Sequence, residues 1–187
     1  MHALSTFIDG LSGLSARGWE LLQPALSELA YKKNDYLLKT GQVCDALFFI
    51  SRGYCRAFYD KDGQEINTDF FFENEIATSI NSFGQGVPSV FSIQACENLS
   101  VVRFDKRRLF EAAAQSTEIE TLGRKCLQRI AAKQEKHAAM FKIMNATERY
   151  AYMTAHFPEI LQRVSLTQLS SYLGLARETL SRIRAKR

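Results

Sequence analysis

No run in this 187-residue chain approaches the roughly 20 apolar residues that a membrane-crossing helix needs. The N-terminal stretch, MHALSTFIDGLSGLSARG, has no basic leader ahead of an apolar core, so it does not resemble a secretory signal. A cytoplasmic location without a membrane partner is therefore the expectation. The four cysteines, Cys44, Cys55, Cys96 and Cys126, show no CxxC spacing, which argues against an iron–sulfur cluster and for reduced, buried thiols. His2, His137 and His156 share no zinc-ligand spacing either, so neither a metal nor a cofactor is expected. The G-x-x-x-x-G-K phosphate loop is missing, and no acid–base pair or nucleophile triad stands out. An enzymatic role is not expected. Repeats and low-complexity linkers are also absent.

What the chain does have is a charge asymmetry. From position 159 onward there are six basic residues, Arg163, Arg177, Arg182, Arg184, Lys186 and Arg187, against Glu159 and Glu178. That stretch carries the whole formal net charge of +4, leaving residues 1–158 neutral. A neutral body with a basic end is the pattern of a polyanion-binding module. Its sequence organisation agrees. In residues 164–187, Leu166, Leu169 and Leu173 share one helical face, Leu180 and Ile183 repeat that spacing, and Gly174 separates the two patterns. Two short helices joined at a glycine predict a helix-turn-helix. Arg177 and Glu178 open its second helix, where base edges are read in the major groove.

Ahead of this module, residues 4–26 read as helical, with Ser15 as an N-cap and Pro24 as a kink or stop. Seven short strands are predicted at 29–32, 36–39, 46–50, 55–59, 66–72, 90–95 and 100–104. Asp62-Gly63 is a strong hairpin turn among them. Helical periodicity returns at 106–114 and then over 118–142, where Ile119, Leu122, Cys126, Ile130, His137 and Phe141 form an apolar stripe. A helix of about 25 residues is about 37 Å long, and a second copy of itself is the economical partner for that stripe. Asn145 and Glu148 have capping-box spacing at the start of a helix running to Pro158, and Ser165 and Gln168 have it at the start of the helix-turn-helix. The fold class that follows is α+β: an N-terminal antiparallel, jelly-roll-like β barrel with flanking helices, a long dimerisation helix, and an all-α helix-turn-helix.

This order of elements resembles the Crp/Fnr superfamily of bacterial transcription regulators along essentially the whole chain. The sharpest match is Leu173-Gly174-Leu175-Ala176-Arg177-Glu178-Thr179-Leu180-Ser181-Arg182, which is similar to the family's recognition motif. Two weaker matches lie at Ser51-Arg52-Gly53, followed by Arg56, and at Asp62-Gly63-Gln64-Glu65. The resemblance implies an effector domain at 1–117, a dimerisation helix at 118–144 and a DNA-binding domain at 145–187. It further implies a homodimer on double-stranded DNA, with RNA polymerase as a further candidate partner. Arg177, Glu178 and Arg182 become base readers, with Thr179, Ser181, Arg184 and Lys186 beside them at base edges and phosphates. Arginine matches guanine bidentately and a carboxylate accepts from cytosine.

Three departures qualify that implication. Members that bind a cyclic nucleotide carry a Gly-Glu pair and then an Arg-Ser pair around the sugar-phosphate; here Ala77-Thr78 and Pro88-Ser89 stand in their places. Positions 76–90 contain no arginine or lysine, and burying a phosphate without a counter-charge is costly. Tight cyclic AMP binding is therefore not expected, and the effector is unknown. Asn67, Thr78, Ser79, Ser82 and Ser89 are the candidate ligand-binding side chains, against an alternative in which the phenylalanines fill the cavity. Ala176 replaces the usual capping serine, and the β wing that commonly follows the recognition helix is not found in this sequence. The competing reading is a small-molecule sensor whose output is protein–protein contact.

Overall fold

The structure is a computed structural model in which residues 1–185 are described. The chain opens with α1 (His2–Leu11) and α2 (Ala16–Leu22), followed by a 3-10 turn at Gln23–Ala25. Residues 4–26, expected as helical, form two helices, separated where Gly13 adopts φ +64. The expected cap at Ser15 is present, its Oγ accepting from Gly18 N–H at 3.1 Å. Eight strands follow in place of the seven expected: β1 (Leu26–Tyr31), β2 (Tyr36–Leu38), β3 (Ala46–Arg52), β4 (Cys55–Lys61), β5 (Gln64–Phe71), β6 (Ile76–Ala77), β7 (Ser92–Ala95) and β8 (Leu99–Asp105). The two-residue β6 is the addition, and α3 (Ile80–Gln85) lies between β6 and β7. The remaining helices are α4 (Lys106–Ala113), α5 (Thr117–Ile143), α6 (Ala146–His156), α7 (Pro158–Arg163), α8 (Leu166–Leu173) and α9 (Arg177–Ala185).

The strands form two four-stranded sheets, ordered β1-β8-β3-β6 and β2-β7-β4-β5. In the first, Leu26 pairs with Phe104 across β1–β8 and Phe48 with Ala77 across β3–β6, both antiparallel. Alternation along β3 explains why an unbroken apolar run can serve two layers. Ala46, Phe48 and Ile50 join Cys55, Ala57, Phe71, Ile93, Leu99 and Val101 in the core between the sheets. Phe49, one step out of phase, joins Val102 and Phe104 against Leu4, Ile8, Leu22, Ala112, Ile119 and Leu122 of the helices. The first sheet is therefore covered on both faces. The expected antiparallel double-sheet barrel with flanking helices, a long helix and C-terminal helices is the architecture observed. Among the described residues no helix is long and apolar enough to cross a membrane.

Two compact units divide the chain: Met1–Ala57 with Phe70–Arg129, and Phe58–Asp69 with Ile130–Arg187. The first holds the bulk of both sheets, α1–α4 and the start of α5. The second holds the distal part of the β4–β5 hairpin, the rest of α5 and α6–α9. The hairpin turn is the predicted one, with Asp62 at φ 56 and Gly63 at φ 79. Two consecutive positive φ values define a type I′ turn, which suits strand twist.

Candidate nucleic-acid interface

The second unit builds its C-terminal helices from local rules. Its first helix, α6, has a complete capping box: Asn145 Oδ1 accepts from the N–H groups of Thr147 and Glu148, each at 3.0 Å, and Glu148 Oε2 accepts from Asn145 N–H at 2.8 Å. Helix α6 ends at His156, just before the expected stop at Pro158, and Pro158 is also the first residue of α7. Proline suits that position because its missing N–H has no partner there and its φ is preset. At Ser165 the second cap forms, its Oγ accepting from Gln168 N–H at 3.2 Å. Helix α8 ends in a Schellman pattern: Gly174 sits at φ 65, Leu175 N–H donates to the Ser170 carbonyl at 2.9 Å, and Gly174 N–H to that of Ser171 at 3.2 Å.

The turn delivers α9 with Leu180 fully buried and Thr179 and Ile183 half-buried. The opposite face presents Arg177, Glu178, Ser181, Arg182 and Arg184, all exposed. Lys186 lies outside the described residues. Glu178 and Arg182 lie four apart, the spacing at which side chains on one helix can pair. Arg182 Nε instead donates to the Glu178 carbonyl oxygen, at a long 3.4 Å. The carboxylate and most of the guanidinium edge therefore stay available, and α9 starts at Arg177 with an alanine before it and no side-chain cap.

The apolar stripe of α5 divides between the two units. Ile119 and Leu122 are 1% and 4% exposed within the core of the first unit, and Cys126 packs against the same cluster. In the second unit His137 stacks on Tyr172 of α8 at 5.0 Å, and Phe141 meets the edges of both rings. Ile130 is half-buried. Of the residues expected at a dimer seam, Ile119 and Leu122 are thus packed within the chain, while Cys126, Ile130, His137 and Phe141 are half-buried. A face turned roughly 40–120° away at 100° per residue carries Gly123, Leu127, Ala131 and Ala138, all exposed, with Leu127 at 54%. Burial pushes the Cys126 thiol up to about 11, and the Cys96 thiol likewise, so both stay protonated near neutral pH.

Around His137 the second unit is polar as well as aromatic. Asp69 pairs with Lys133 Nζ at 3.1 Å and accepts from Gln134 Nε2 at 3.3 Å. Desolvation lowers the His137 pKa; Asp69 opposes that shift and Lys133 adds to it. The His137 Nε2 is buried without a hydrogen-bond partner, in keeping with a neutral ring.

In the first unit three of the four candidate ligand hydroxyls, those of Thr78, Ser82 and Ser89, bond to the backbone. Ser82 Oγ accepts from Cys44 N–H at 2.8 Å and donates to the Val87 carbonyl at 2.6 Å. Thr78 Oγ1 donates to the Ala46 carbonyl at 3.1 Å and lies 3.4 Å from Cys44 Sγ. Ser89 Oγ donates to the Phe91 carbonyl at 2.8 Å. Ser79 is buried ahead of α3, where its carbonyl accepts from Phe83 N–H at 2.7 Å. Thr78 and Ser82 are thus brought together around Cys44, as parts of the loop framework. Asn67 belongs to the second unit, its N–H held by Ser171 Oγ at 3.0 Å. That serine contact was not read from the sequence; nothing in Leu169-Ser170-Ser171-Tyr172 distinguishes a hydroxyl that faces a strand from one that faces water. Among the described residues no group of three or more His, Cys, Asp or Glu side chains could hold a metal ion.

Residues 28–116 match the model of the cyclic nucleotide-binding domain family. No curated protein matches the chain by sequence. Solved structures do match by fold. FixK2 from Bradyrhizobium japonicum superposes with a TM-score of 0.69 at 20% identity, over 86% of this chain and 83% of that one. The c-di-GMP-responsive global regulator CLP of Xanthomonas campestris gives 0.66 at 16% identity, over 92% and 91%. The catabolite activator protein of Thermus thermophilus gives 0.58 at 17% identity, over 96% and 85%. Residues 28–116 therefore resemble cyclic nucleotide-binding domains, and the chain shares the fold of these three solved structures over most of its length.

Proposed function

We propose that this protein is a sequence-specific DNA-binding transcription regulator that works as a homodimer and does not respond to cyclic AMP. The observation that carries the reading is the exposed face of α9. Arg177, Glu178, Ser181 and Arg182 lie free of the fold, on a helix anchored by buried Leu180 and set by the Gly174 turn. Bidentate arginine–guanine and carboxylate–cytosine contacts are available from that face. Arg184 lies where phosphates would be met, giving affinity with little sequence preference. Selection of bound duplexes from a random pool tests this directly. An enriched, two-fold symmetric motif with half-sites about 34 Å apart is expected. A pool that stays unenriched, with a captured protein partner instead, would favour the sensor with a protein-contact output.

The dimer is assigned to the outward face of α5. Gly123, Ala131 and Ala138 are small enough to let a second helix approach closely, and half-exposed Leu127 supplies apolar area between them. Insensitivity to cyclic AMP rests on two features of the barrel: positions 76–90 hold no cation, and Thr78, Ser82 and Ser89 already bond to backbone. A bound cyclic phosphate would have to displace those bonds and remain without a counter-charge in that segment. Calorimetric titration with cyclic AMP is expected to show no binding at micromolar concentrations.

A further inference from the structure

Three rings tie α8 to the long helix. His137 of α5 stacks on Tyr172 of α8, with centroids 5.0 Å apart and planes inclined by 25°. Phe141, one turn further along α5, meets His137 edge-on at 5.1 Å and Tyr172 edge-on at 6.2 Å. The guanidinium of Arg149, from α6, lies over the Phe141 ring at 5.1 Å. Helices α5, α6 and α8 therefore all meet at Phe141. Tyr172 is buried, as are Leu169 and Leu173 of the same helix, and beyond the Gly174 turn Leu180 of α9 is fully buried. These contacts lie inside one compact unit, which takes residues 130–143 of α5 together with α6–α9.

Rings constrain such a joint more tightly than aliphatic side chains. Stacked and edge-on pairs hold a preferred distance and angle, whereas aliphatic replacements of similar volume lose uniqueness of packing before they lose stability. His137 enters the cluster as a flat surface, since its buried Nε2 makes no hydrogen bond. The stretch that carries His137 and Phe141 also carries exposed Ala131 and Ala138, assigned to the seam between two copies. A short path therefore leads from the seam through two rings of α5 to Tyr172, and from α8 through the Gly174 turn to α9. Repeated in a two-fold dimer, that path fixes the separation of the two reading helices, which half-site spacing mirrors. One base pair added between half-sites moves one of them by about 3.4 Å and turns it by about 34°. A rigid joint cannot follow that displacement, and a loose one can. We infer that His137, Phe141 and Tyr172, none of which belongs to α9, are positioning residues for specificity: they set which half-site spacing the dimer accepts. The inference rests on the proposed homodimeric, DNA-reading function and adds a second determinant to the base contacts of α9.

The test uses the full chain with two substitutions at half-buried positions, His137→Leu and Phe141→Leu, and with His137→Phe as the ring-keeping control. Affinity is measured for the selected duplex, for versions with one base pair added or removed between its half-sites, and for a duplex holding a single half-site. The parent and His137→Phe are expected to reject the altered spacings to a similar degree. Each leucine variant is expected to lose that discrimination by about five-fold or more, the lower end for coupled sites, with affinity for the single half-site unchanged. Unchanged discrimination in both leucine variants overturns the inference. So does an equal loss of affinity on every duplex, the single half-site included, which is what a purely structural role would give. A parent that binds the selected duplex yet accepts all spacings equally overturns it too, while leaving DNA reading intact. A parent that binds no duplex at all refutes the DNA-reading function, and the spacing role falls with it.

Discussion

Replacing Leu122 and Leu127 by alanine separates core from seam on a single helix. Leu122 is 4% exposed in the cluster formed with Leu4, Ile8, Phe49 and Ile119, so Leu122→Ala leaves a cavity in one chain. Such truncations cost about 2–5 kcal/mol. Leu127 is 54% exposed, so Leu127→Ala opens no cavity in the isolated chain, and its effect on helix propensity is a few tenths of a kcal/mol at most. In a two-fold dimer the residue occurs twice at the seam. Burying the exposed half of each leucine is worth roughly 1 kcal/mol relative to alanine, so the pair contributes about 2 kcal/mol, or about 30-fold in the dimer dissociation constant. Sedimentation equilibrium measures that constant. Denaturation across a range of protein concentrations separates chain stability from association, which otherwise mix by mass action. Leu127→Ala should weaken the dimer with little change in concentration-independent stability, and Leu122→Ala should do the reverse. A Leu122→Ala chain of unaltered stability with a weakened dimer would refute the assignment and return the seam to the Ile119–Leu122 stripe.

Arg182→Ala is expected to weaken binding to the selected duplex by about 1–3 kcal/mol and to relax base preference at one position, read by competition with single-base variants. An equal loss on specific and random duplexes would place Arg182 on a phosphate instead. For pH, burial holds the His137 pKa below its ordinary 6.5. The unfolded chain therefore takes up a proton first as pH falls. Stability should be complete above about 6.5, decline as pH drops through that value, and level off below the folded pKa. Thermal melts of the parent and of His137→Gln between pH 7.5 and about pH 5 test this; the substitution should remove part of the slope, and an unchanged slope assigns it elsewhere. Gly53→Ala should destabilise the barrel by more than about 1 kcal/mol in denaturant titrations, since a β-carbon at φ +89 would lie 2.7 Å from the Asn98 carbonyl oxygen.

Features fixed by neighbours in sequence were legible before the fold was known. The Ser15 cap, the Asp62-Gly63 turn, the Asn145 box and the Gly174 terminus each depend on atoms within about five residues. Helix α7 was missed because Pro158 was read as a stop, whereas proline also starts helices. The two-residue β6 exists only because Ala77 and Ile76 pair with Phe48 and Phe49, partners almost thirty positions away. The α5 stripe shows the boundary most sharply. Periodicity identified an apolar face correctly, yet it could not say whether the barrel helices, Tyr172 or a second chain covers it. In the same way, composition placed hydroxyls at Thr78, Ser82 and Ser89, while their acceptors are the carbonyls of Ala46, Val87 and Phe91.

Those committed hydroxyls bear on where regulation can enter. A switch needs an element with two arrangements and an input that prefers one of them. Within the barrel, breaking the Ser82 or Thr78 bonds would expose buried polar groups of Cys44, Ala46 and Val87, so this framework resists rearrangement.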